Sequence, residues 1–157
     1  MFHKPNECIG CPMYDDGQGF VPDELTPGAT TFILGQNPGE QEEDEGKPFC
    51  GKPGWVMENV YMPLAGLRRG ENVSIGNVLK CRWRNPSKRD VLNPNGKKTN
   101  DMPPAMILNK AIKHCMEAHL RIPAEVDLII ATGSIAWKAM GNKTSISDWR
   151  GYLVDGP

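Results

Sequence analysis

Three short apolar runs alternate with stretches of helical period along this chain, and that alternation restricts the fold more than any other feature of the sequence. Residues 31–34 (TFIL), 73–79 (VSIGNVL) and 127–131 (DLIIA) are rich in β-branched and large apolar side chains, the composition of buried strands. Between the first two, Val56, Val60 and Leu64 recur at four-residue spacing, which predicts a helix over residues 54–67 with those side chains on its buried face. Pro63 is placed to kink or end it. A second helix is predicted over residues 104–120, where Ile107, Ala111, Cys115 and Ala118 line one side and Pro103 and Pro104 suit the first turn. Gly133 and Ser134 open a short third helix that runs to Met140. The order β-α-β-α-β-α implies an α/β fold, three-layer α/β/α, with a central mostly parallel sheet covered by helices on both faces. Leu153 and Val154 would begin a fourth strand, giving a four-stranded sheet whose last strand is incomplete in this chain.

At 157 residues and 39% hydrophobic content, the chain suits one globular domain with its own core. No run of about 18 apolar residues is present and the N-terminus lacks the apolar centre of a signal peptide. A soluble, cytoplasmic monomer without membrane contact is therefore expected. The two sequons, at Asn72 and Asn142, would matter only in a secretory compartment and are read as chance matches. The net charge of -1 hides an acidic run at residues 40–45 and a basic one containing Lys80, Arg82, Arg84, Lys88 and Arg89. The basic run is a candidate phosphate contact; a solvated loop is the plainer alternative. Residues 85–104, heavy in Asn, Pro, Lys and Asp, read as an irregular surface insertion.

The first apolar run breaks into Gly35-Gln36-Asn37-Pro38-Gly39, and Phe49 follows between Pro48 and Gly51. In open α/β sheets ligands sit at the carboxyl ends of strands. Gly35, Pro38 and Gly39 permit a tight turn there, Gln36 and Asn37 bring amide donors and acceptors, and Phe49 offers a ring for stacking. Such a set can hold a flat base. The alternative is an ordinary strand-to-loop turn with Phe49 in the core.

The five cysteines divide into four and one. Cys8 and Cys11 form a CxxC pair, while Cys81 follows the second strand and Cys115 lies in the second helix. A knuckle plus two distant thiols can hold a tetrahedral metal or an iron-sulfur cluster. Spacing does not choose between zinc and iron-sulfur, and small buried thiols remain the third reading. His114 and His119 flank Cys115 as possible zinc ligands, with solvent-facing roles favoured. A disulfide framework does not suit a chain of this length without secretory features.

As an ordered set, the CxxC pair, GQNPGEQEEDEGKPFCGKPG, NVLKC at residues 77–81, the later Cys115, DLIIATGSIAWKAM and the Trp149-Arg150-Gly151 turn resemble the iron-sulfur uracil-DNA glycosylases, family 4 of that superfamily, over nearly the whole chain. The resemblance implies a 4Fe-4S cluster, with zinc as the alternative, on Cys8, Cys11, Cys81 and Cys115, leaving Cys50 free. It implies uracil in DNA as the substrate, flipped from the helix and cut from its sugar. Gln36, Phe49 and Asn77 would form the uracil pocket: Phe49 stacks, and the Asn77 amide accepts from N3–H and donates to O4. Asn37, with Gln36 beside it, would hold the attacking water.

Three departures accompany the resemblance. Gln36 stands where the family has Glu, and Asn37 where it has a small residue; Asn37 resembles the single-asparagine turn of the mismatch-specific thymine/uracil glycosylases. The separation of Cys81 from Cys115 is long, because the polar insertion intervenes. The family's His-Pro-Ser motif has no counterpart, so the domain at residues 1–157 is expected to be truncated before it. The competing expectation is a catalytically weakened, DNA-binding or structural module fused to, or partnered with, a replication or repair protein.

Overall fold

The computed structural model describes residues 3–83 and 103–154. Its centre is a parallel sheet of β2 (Thr31–Gly35), β3 (Val73–Asn77) and β5 (Leu128–Ala131), in the order β3-β2-β5. Thr31 pairs with Val73 and Leu128, and Gly35 pairs with Asn77. A separate antiparallel pair joins β1 (Gly17–Gln18) to β4 (Arg82–Trp83).

Helices cover both faces because successive side chains of β2 point to opposite sides. Phe32 and Leu34 pack with Val78, with Ile112 and Met116 of α4 (Ala105–His119) and with Ala136 of α5 (Ser134–Ala139). Ile33 packs on the other face with Val73, Ile75, Met57 and Met62. The layered α/β architecture with a mostly parallel sheet is thus present, but the sheet has three strands among the described residues, not four. Leu153 is 86% exposed, and at Trp149–Tyr152 the chain closes a turn (Tyr152 N–H to Trp149 O, 3.1 Å), with no ladder bonds beyond it among the described residues. β5 is also less buried than its apolar composition predicts. It lies at the sheet edge, with Leu128 exposed and the other three residues half-buried.

The helix predicted over residues 54–67 turns a different face to the core. It runs as α2 (Lys52–Val56), a π-helical turn (Met57–Tyr61) and α3 (Met62–Leu64). In the π turn the Met62 N–H reaches back to Met57 O, so residues five apart share a face and the four-residue stripe rotates outward. Met62 is buried with Met57 against it, whereas Val56, Val60 and Leu64 are 37%, 41% and 83% exposed. α4 keeps its predicted bounds nearly to the residue, with Ala111 and Cys115 buried. No helix among the described residues is long and apolar enough to cross a membrane.

Candidate base pocket and thiol centre

Parallel pairing brings Gly35 and Asn77 side by side at the carboxyl ends of β2 and β3. A Cβ on Gly35 would fall 2.3 Å from Asn77 Oδ1 and 2.6 Å from Phe49 Cζ. The glycine is therefore the floor on which an aromatic ring and a buried amide meet. Asn77 is 3% exposed, and Phe49 is half-buried with a left-handed backbone, φ 53°, a conformation bulky residues adopt only when their surroundings impose it.

The surroundings of Phe49 supply that constraint. Arg69 donates to Phe49 O (3.2 Å) and Pro48 O (2.6 Å) while its other donors bind Glu24 and Glu58. Glu42, in α1 (Glu40–Glu45), accepts from the backbone N–H of Gly39 and of Gly51, both at 2.9 Å, and so straps the two ends of the loop together. The pattern Gly39-x-x-Glu42 is a capping signal legible in the sequence. Nothing in the pattern marked Arg69.

The two amides of the turn are placed differently from one another. Asn37 Nδ2 donates to Pro38 O (2.9 Å), which fixes its amide plane at the loop. Gln36 Oε1 accepts from the Ile135 N–H (3.3 Å), and its side chain lies against Gly133. Gln36 thereby tethers the loop to the start of α5 and lines a groove of about 650 Å³ between α4 and α5; its side-chain hydrogen bond goes there and not to Phe49 or Asn77. Gln36, Asn37 and Asn77 are all amides, which orient substrate and water but exchange no proton at neutral pH.

On the other side of β3, Cys8, Cys11, Cys81 and Cys115 line one small void with Met13 and Phe20. The Met13 N–H points at Cys11 Sγ (3.4 Å) and the Lys80 N–H at Cys115 Sγ (3.3 Å), an arrangement that favours thiolate sulfur. Burial pushes the Cys81 thiol up to about 12 and the Cys115 thiol up to about 11, with Lys4 and Lys80 respectively opposing it. A metal centre must therefore displace protons to bind there. Among the described residues no group of three or more His, Cys, Asp or Glu side chains is arranged to hold a metal ion. Four thiols on one void, two of them with amide donors, are the donor chemistry that either an iron-sulfur cluster or zinc takes. His114 and His119 line the same void, and His119 Nε2 lies 3.1 Å from Cys8 Sγ, so they do not simply face solvent. Cys50 lies outside it; burial and the neighbouring Glu42 and Glu45 push its thiol up to about 11.

The basic run is corrected at two positions. Lys80 and Arg82 side chains are 2% and 1% exposed and pair with Asp23 and Glu43. Arg82 Nε donates to Glu43 Oε2 at 2.7 Å. They neutralise buried carboxylates and have no surface to offer a phosphate. Arg84, Lys88 and Arg89 lie outside the described residues.

Residues 22–154 match the family model described as the uracil DNA glycosylase superfamily. A type-4 uracil-DNA glycosylase of Thermotoga maritima is 29% identical over 154 residues, covering 97% of this chain and 71% of that protein. Proteins of the same designation from Sulfurisphaera tokodaii and Saccharolobus solfataricus are each 37% identical over 53% and 54% of this chain, and those alignments cover 36% and 38% of the relatives.

Proposed function

The chain belongs to the uracil DNA glycosylase superfamily, and on that premise we propose that it captures a uracil flipped out of DNA and hydrolyses the bond between the base and its sugar. The observation that carries the reading is the convergence of Phe49 and Asn77 on Gly35. A planar pyrimidine held there stacks on the ring and meets an amide able to donate to O4 and accept from N3–H. Cytosine presents the opposite donor and acceptor order on that edge, so the same amide disfavours it once its orientation is fixed.

Cleavage joins a water oxygen to C1′ as the C1′–N1 bond breaks. The electron pair leaves with uracil at N1, and a proton from the water passes to solvent or to the departing base. In this reading Asn37, its amide held by Pro38 O, would orient that water. With amides in these positions, catalysis rests on positioning and on dipoles aimed at the developing charge. Cys8, Cys11, Cys81 and Cys115 would hold the iron-sulfur cluster, which when bound supplies a cross-link among the N-terminal knuckle, the exit of β3 and α4. The type-4 designation of the relatives supports that assignment. Incubation with a single-stranded oligonucleotide containing one uracil tests the function: free uracil and an alkali-labile site are expected, and neither product would appear if the reading is wrong.

A further inference from the structure

The pocket's two walls are held by cations from neighbouring parts of one network. Arg69, its side chain 8% exposed, grips Glu24 with two bonds of 2.8 Å (Nε to Oε1, Nη2 to Oε2) and spends its remaining donors on Glu58, Pro48 O and Phe49 O. Lys80 is buried against Asp23 and donates to Asn77 O at 2.5 Å. Asp23 and Glu24 are adjacent, and the Glu24 backbone is fixed to β3 in both directions, N–H to Ile75 O at 2.8 Å and O from Ile75 N–H at 2.9 Å. At Gly76 a Cβ would fall 1.8 Å from Asp23 Oδ1, so this strand glycine marks the carboxylate's approach to the backbone beside Asn77.

We propose that Arg69 and Lys80 are positioning residues for base recognition, Arg69 setting the stacking ring of Phe49 and Lys80 the reading amide of Asn77, with the Asp23-Glu24 pair tying the two settings together. The inference rests on the reading that this pocket takes uracil. An Arg is suited to the first place because its planar fork binds a carboxylate and two carbonyls at once, which a lysine ammonium cannot do in the same geometry. It accounts for the strained φ of Phe49, and for buried Lys80 and Asp23 at a strand end that an apolar pair would otherwise fill. Both cations act on the pocket through the Phe49 and Asn77 backbones.

Double-mutant cycles test this on the whole protein. Arg69→Lys should lower kcat/KM for uracil release on the order of tenfold, but by less than about twofold in a Phe49→Ala background. Its loss of Tm should be the same in both. Lys80→Met should behave likewise against Asn77→Ala, and Asp23→Leu/Lys80→Met supplies a version without a stranded buried charge should the single variant fail to fold. The affinity ratio for uracil-containing over thymine-containing oligonucleotide, read on the same proteins, should fall with each positioning variant and requires no turnover. Effects on kcat/KM that add independently, or an unchanged affinity ratio, would overturn the proposal while leaving the glycosylase reading intact. A wild-type protein that neither releases uracil nor prefers it would remove that reading, and this one with it.

Discussion

Gly35 and Asn77 are register partners at the ends of two parallel strands, and the space where a Gly35 side chain would begin is already taken by the Asn77 amide oxygen and the Phe49 ring. Gly35→Ala should therefore displace one wall or the other. The expected result is a loss of kcat/KM for uracil release of at least about tenfold in a protein that still folds, checked by steady-state kinetics beside a thermal melt.

Asn37→Ala separates water positioning from base binding. Loss of an oriented water lowers the chemical step without removing ground-state contacts. Single-turnover excision should slow while the affinity for uracil-containing DNA stays within about twofold. An equal loss of affinity would make Asn37 a pocket residue instead.

Arg82→Met should act on stability alone. Its guanidinium is buried against Glu43, and stranding that carboxylate costs about 3–5 kcal/mol. Chemical denaturation should show the loss, whereas the slope of DNA affinity against salt should not change, as it would by about one unit on removal of a phosphate contact.

Glu24 supplies a pH signature. Hydrogen bonds from Arg69, working against burial, hold its carboxyl below the ordinary value of 4.5. A depressed folded value means the stabilisation is complete above the unfolded value and is lost as pH falls through the folded one. The Tm difference between wild type and Glu24→Gln should be largest near neutral pH, begin to shrink below the ordinary Glu value and vanish at still lower pH.

Much of this architecture was legible because its signals are local. The β-branched run ended by Gly35 declared β2 and its carboxyl end, and the period of Ala111 and Cys115 declared α4. The cysteine partition foreshadowed the shared void. Val56, Val60 and Leu64 misled because a π turn alters the period that the pattern assumes. Lys80 and Arg82 read as surface cations because their carboxylate partners stand 57 and 39 residues away, beyond any local pattern. The same distance hid Arg69, whose partner Glu24 lies 45 residues before it. Phe49 was visible as an aromatic between proline and glycine, but its left-handed backbone follows from tertiary hydrogen bonds that composition does not encode.

The central claim is that the buried Asn77 amide reads uracil against Phe49, and single-turnover release of uracil from an oligonucleotide by wild type and Asn77→Ala tests it most directly. The account predicts stoichiometric release by wild type and a rate lower by about a hundredfold in the variant. No release by wild type, or equal rates for the two proteins, would contradict it.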